Sequence, residues 1–179
     1  MSFCRSVFLC SLISCSAASY ATASTQAPSD NVADRVIAAL TGPWDGRAIE
    51  TPVGPVDYAI TFHDCEIGVV AGVAELNVSD HYWRFWQTDG ELRLTFLSTF
   101  RGNQEPTQLV VSRTEDNTIW FHAPALSLLT LSVALNEPDV DIRIFHHNEP
   151  HVYIRLQRPD SSMLVAATAE NKAKSCSKL

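Results

Sequence analysis

Between Val56 and Gln157 the sequence never settles into a helical period. Apolar and polar residues alternate in short runs, and each run is closed within a few residues by a turn. Val56, Tyr58, Ile60 and Phe62 alternate with Asp57, Ala59, Thr61 and His63, the period-two pattern of a half-buried strand. Ile67–Leu76 is almost wholly apolar and carries Gly68 and Gly72, where a strand can bend or bulge. His81–Gln87 brings Tyr82, Trp83, Phe85 and Trp86, and Thr88-Asp89-Gly90 turns the chain as a hairpin. Leu92, Leu94, Phe96 and Phe100 share a face of the next run. Thr107–Arg113, Thr118–Ala123, Leu128–Leu135, Val140–His146 and His151–Gln157 continue the series, and Met163–Ala167 offers one more. Asn precedes Glu-Pro in Asn103–Pro106, Asn136–Pro138 and Asn148–Pro150, recurrent turn chemistry ahead of a strand. Consecutive strands with no crossover helix predict an antiparallel meander. A sheet that long leaves edges unless it closes on itself. The expected fold is therefore all-β, an up-and-down antiparallel barrel of about 8–10 strands. Membrane barrels use the same alternation, but the short runs and uniformly brief turns argue against that use here.

One short helix precedes the barrel. Ser29-Asp30 offers an N-cap, and Val32, Val36, Ile37 and Leu40 recur at helical spacing. Gly42 suits the left-handed position after the helix, and Pro43 forbids its continuation.

With 179 residues, 46% hydrophobic and 18% charged, the chain suits one globular domain. The expected domain runs from 31 to 160, after a flexible tether over 24–30 and before a loose C-terminal tail over 161–179. A formal charge of −7 argues against nucleic acid and anionic lipid surfaces as partners. Arg5 followed by the apolar run Ser6–Ser14 reads as a secretory signal. Two maturation sites stay open. Ala21-Thr22-Ala23 would end a cleaved signal over 1–23, whereas Leu12-Ile13-Ser14-Cys15 would end one over 1–14 and lipidate Cys15, anchoring the protein to a membrane. Either expectation is extracytoplasmic: periplasmic, or held as a lipoprotein at a bacterial outer membrane. Cys65 and Cys176, the cysteines outside the signal region, can pair in such a compartment.

Gly42-Pro43-Trp44, placed between a short helix and a meander, resembles the corner of the calycins, the superfamily of lipocalins and fatty-acid-binding proteins. The resemblance implies that Trp44 packs under the closed end of the barrel with an arginine of the last strand across it. Arg155 or Arg158 would take that role, and Arg155 is the one assigned to barrel closure with Gly42 and Trp44. The strand count fits the fatty-acid-binding side and the secretory signal fits lipocalins; no Thr-Asp-Tyr motif joins the later strands, Thr114-Glu115-Asp116 being an echo. The resemblance therefore stops at the superfamily, and implies handling of lipids or other apolar molecules.

The natural interior series gives the expected ligand-binding residues Tyr58, Ile60, Phe62, Trp83, Phe85, Leu94, Phe96 and Trp120. The same side chains could instead fill a barrel of this size completely. An inward Arg84, Arg93 or Arg143 would hold a carboxylate or phosphate headgroup; outward, each would pair with a nearby acid. His146, His147 and His151 straddle one hairpin and His63 ends an earlier strand. His146 and His151 could approach across the turn to bind a metal, or one histidine could ligate haem, as in the barrel nitrobindins that the chain also resembles. No metal or cofactor is assigned on that spacing. The sequence has no Gly-x-Ser-x-Gly turn, Walker loop or His-Glu-x-x-His, and catalysis is not the leading expectation. That expectation is a binding protein for a small hydrophobic or amphipathic ligand; a structural envelope lipoprotein with a filled barrel, or a haem or metal protein, are its alternatives.

Overall fold

A computed structural model describes residues 31–51, 53–124, 128–160 and 169–179. The signal, Cys15, the tether over 24–30, the Ser29-Asp30 cap and the strand expected at Met163–Ala167 lie outside these residues.

Helix α1 (Val32–Leu40) is capped by Asn31, whose side chain accepts from the Ala33 amide at 2.9 Å. Its Ala33, Val36 and Leu40 are fully buried. Among the described residues eleven strands follow: β1 (Gly42–Glu50), β2 (Val56–Asp57), β3 (Ile60–Glu66), β4 (Val69–Glu75), β5 (Asp80–Thr88), β6 (Glu91–Ser98), β7 (Thr107–Glu115), β8 (Thr118–His122), β9 (Leu129–Asn136), β10 (Asp139–His146) and β11 (Glu149–Gln157). Helix α2 (Ala169–Ser177) comes last. From β3 to β11 each strand is antiparallel to the next, and β1 joins β3 on one side to β11 on the other. The result is the expected closed, up-and-down antiparallel barrel, of 10 strands, with the two-residue β2 as a brief extra pairing on β1.

The closing strand β1 is absent from the expected series, which begins at Val56. β1 starts at Gly42, directly behind the helix, whereas regular alternation starts only later in the sequence. Its inward positions are Trp44, Gly46 and Ala48, so small residues hide the period. Gly46 is small of necessity: a Cβ there would lie 2.2 Å from the Arg155 carbonyl oxygen of β11. Gly72 of β4 makes a second close approach, its missing Cβ position 3.0 Å from Ile60 and Phe62. Gly68 is not within a strand; it forms the β3–β4 turn with φ of +75°.

Alternation sends Ile60, Phe62, Trp83, Phe85, Leu94, Leu109 and Phe121 inward, all nearly or fully buried. The outer face carries charge, including Arg155 against Asp141 at 3.1 Å and Arg84 against Glu66 at 3.0 Å. Apolar inside and charged outside is the reverse of a membrane barrel.

The tail is a correction. Residues 169–177 form α2 and pack on β3 and β4 rather than hanging loose. Its own apolar pattern is weak, which hid it. Contacts with the barrel hold it instead. Cys176 is disulfide-bonded to Cys65 of β3, with Cα atoms 5.5 Å apart. Lys174 bonds Glu75 and lies 3.7 Å from Asp80. Lys178 sits 4.4 Å over the Tyr82 ring, and Arg84 donates to the Leu179 carbonyl. Ala71 and Tyr82, although on the outer face, are consequently buried.

Candidate ligand-binding cup

Successive strands place the loops after β1, β4, β6, β8 and β10 at one end of the barrel and α1 at the other. At the α1 end Trp44 and Arg158 cover the barrel, and a surface groove runs between α1 and the β9–β10 turn past Ala39, Leu135 and Val140. Trp44 is buried and donates from Nε1 to the Leu40 carbonyl at 2.6 Å. The guanidinium across its ring, 3.7 Å from the centroid, belongs to Arg158. The Arg158 fork also donates to the carbonyls of Ala39 at 2.7 Å, Thr41 at 2.9 Å and Pro43 at 3.3 Å. These include carbonyls that the end of α1 leaves without intrahelical partners. Arg155 is thereby corrected. Ile154 and Leu156 fill the inward positions of β11, so Arg155 must face out, where it pairs with Asp141 and bonds the Tyr153 hydroxyl at 2.7 Å. Arg158 lies just past the strand and is free to fold back beneath the barrel. Gly42, with φ of +107°, leaves room for it: a Cβ would lie 3.0 Å from Arg158 Nη1.

The opposite end is hollow. A cavity of about 530 Å³ is walled by apolar side chains, among them Ala48, Val56, Leu76, Phe96, Leu129 and Ile144. Its polar lining includes His81, Ser98, His146 and His151. Ile49, Val53, Val78, Phe100 and Leu128, on the loops or strand ends of this mouth, are all exposed; among the described residues the remaining large exposed hydrophobic is Ile67, in the β3–β4 turn at the other end.

Below the cup the barrel is solid. Trp83 packs on Phe96 with centroids 4.4 Å apart, and Phe85 meets Phe62 at 6.0 Å and Phe121 at 6.1 Å. Of the residues expected to bind ligand, Phe96 lines the cup. Tyr58, Ile60, Phe62, Trp83, Phe85 and Leu94 are buried in the packing beneath and beside it. Trp120 is the exception. It faces outward, with the Arg113 guanidinium 4.4 Å from its ring and Phe145 at 5.6 Å. Ile119 and Phe121 take the inward places on β8, so the strand's most conspicuous residue is on its outer side.

None of the three candidate arginines points inward. Arg84 pairs with Glu66, Arg93 with Glu91 at 2.6 Å, and Arg143 lies 4.8 Å over the Tyr153 ring. On β5 the expected inward placing of Trp83 and Phe85 holds, and Arg84 faces out with Tyr82 and Trp86, the alternative in which it pairs with a nearby acid. His146 does approach His151, with ring centroids 6.3 Å apart at the cup's edge, and His147 lies 4.5 Å from His146. Among the described residues, no group of three or more His, Cys, Asp or Glu is placed to hold a metal ion.

His81 lines the cup and is absent from the expected ligand-binding set. It was legible, two residues before Trp83 and therefore on the inward series of β5. Its Nδ1 is 3.1 Å from the Tyr58 hydroxyl, which accepts from Trp83 Nε1–H at 2.8 Å. Burial pushes the His81 pKa down to about 4, against the opposing pull of Asp80. Burial likewise raises the Tyr58 phenol, although the Trp83 bond opposes it. Both side chains are therefore neutral at pH 7.

No family model matches this chain, and no curated protein does. The closed ten-stranded antiparallel barrel is consistent with a calycin-like fold.

Proposed function

We propose that the protein is an extracytoplasmic, calycin-like binding protein that takes a small hydrophobic or amphipathic molecule, lipid-like in character, into the cup. The carrying observation is an apolar hollow of about 530 Å³ opening through a mouth ringed by exposed apolar side chains. Small-molecule sites span about 300–1,000 Å³ and are lined by apolar groups with a few polar ones. Each buried methylene of an acyl chain would stabilise the complex by about 0.8 kcal/mol. The Cys65–Cys176 pair and the signal-like N-terminus support an oxidising compartment. Anchoring through a lipidated Cys15 belongs to the same proposal.

Solvent extraction of natively purified protein followed by mass spectrometry tests the carrier role. A stoichiometric lipid-like compound is expected; protein that yields none and fails to bind apolar fluorescent probes refutes it. Intact mass of the mature chain separates lipidation at Cys15 from cleavage after Ala23.

A haem protein is the second reading, favoured by the placing of His146 and His151 at the edge of the cup. It requires a Soret band on haem addition that weakens in His146→Ala or His151→Ala. A structural envelope lipoprotein fits the solid lower barrel but leaves the hollow and its apolar mouth without a role.

A further inference from the structure

Trp83 Nε1–H can only donate, and its bond ends on the Tyr58 oxygen. Tyr58 is 1% exposed and carries its proton. That O–H needs an acceptor, and the group in reach is His81 Nδ1 at 3.1 Å. A neutral imidazole that accepts at Nδ1 carries its one proton on Nε2. The reverse arrangement would have Tyr58 accept from both neighbours and leave its own buried hydroxyl proton without a partner, the costly alternative. Nε2–H makes no hydrogen bond among the described residues, and His81 lines the cup. Its ring is steadied by edge-on packing against Phe96 at 5.5 Å. Its cross-strand partner Ser98 also lines the cup.

We propose that Trp83 and Tyr58 lock His81 in the Nε2–H form, so that the cup presents a hydrogen-bond donor of fixed orientation alongside its other polar side chains and selects amphipathic ligands bearing a carbonyl-type oxygen over pure hydrocarbons. This rests on the carrier reading above and narrows its ligand class. The same lock makes His81 unsuited to ligate a metal through Nε2, because that nitrogen holds the proton.

The test uses delipidated full-length mature protein and a matched pair of probes, 2-acetonaphthone and 2-ethylnaphthalene, each displacing a bound apolar fluorophore. The ketone is expected to bind about two- to tenfold more tightly, the net worth of one added hydrogen bond. In His81→Phe that preference should vanish while the hydrocarbon still binds. Equal affinities in the unaltered protein overturn the proposal without harming the carrier reading. If neither probe binds, both the carrier reading and the ligand selectivity fall. Long-range nitrogen–proton NMR of the His81 ring needs no ligand or variant: a proton on Nε2 is expected, and a proton on Nδ1 overturns the lock.

Discussion

Arg158→Ala should loosen the α1 end of the barrel more than any other single arginine change. The guanidinium stacks on Trp44 at 3.7 Å and donates to three carbonyls at 2.7–3.3 Å. A cation–π contact contributes about 0.5–2 kcal/mol. Each hydrogen bond, made at an exposed residue, is taken at about 0.5 kcal/mol, the low end of the range. The total is about 2–3.5 kcal/mol, a large fraction of a typical domain's stability of about 5–15 kcal/mol. With a urea slope near the middle of the usual range, about 2 kcal/mol per molar, the unfolding midpoint should fall by about 1–2 M. Equilibrium urea unfolding followed by tryptophan fluorescence measures it, and hydrogen exchange should show α1 amides losing protection first. Arg158→Lys keeps the charge but not the planar fork, and should fall between. Arg155→Ala is the internal control, because Asp141 keeps its hydrogen bonds from Tyr153 and Asn136 without it. Equal midpoint shifts for Arg155→Ala and Arg158→Ala would refute the assignment of the closing role to Arg158.

Gly46→Ala should cost about 3 kcal/mol or more, because the new Cβ meets a backbone oxygen that cannot turn aside; thermal unfolding measures it, and a change below about 1 kcal/mol would show that the β1–β11 seam yields. Stability should fall on acidification through His81. Its folded pKa, about 4, lies below the unfolded value of about 6.5; its contribution is complete above the unfolded value and is lost as pH drops toward the folded one, at up to about 1.4 kcal/mol per pH unit. His63, lowered in the same direction by burial and by Lys172, should leave a shallower slope in His81→Phe, and an unchanged slope between pH 6.5 and 4 would count against the buried His81. Reduction, or Cys176→Ser, opens a loop of sequence separation 111 and should cost about 4–5 kcal/mol in the chain-entropy account. Proteolysis should then cut α2 first, and an unchanged melting temperature would rule the tether out as a stabiliser.

Strand after strand, the sequence could be read because a half-buried strand shows its burial residue by residue. Where two faces are covered, that legibility fails. β5 is apolar outside at Tyr82 because Lys178 and the neighbouring C-terminal segment cover it, and no local pattern announces a cover supplied from 96 residues away. Trp120 failed for the opposite reason: its size suggested the interior, yet alternation with Ile119 and Phe121 already assigned it outward, to a cation–π contact on the solvent side. His81 had the right parity and was overlooked because a single histidine beside three aromatics carries no spacing motif.

The sequence by itself determined a closed antiparallel meander behind one helix, with a tryptophan at the corner, since period, turn residues and the helix stop are properties of neighbouring residues. Only the tertiary structure decided that Arg158 rather than Arg155 crosses that tryptophan, that the C-terminal segment docks as a helix, and that the interior is solid below and hollow above. Each of those outcomes depends on side-chain volumes and hydrogen-bond partners brought together from distant strands. Whether an inward ring meets in the middle or leaves room for a guest is a sum over the whole circumference, which no single strand carries.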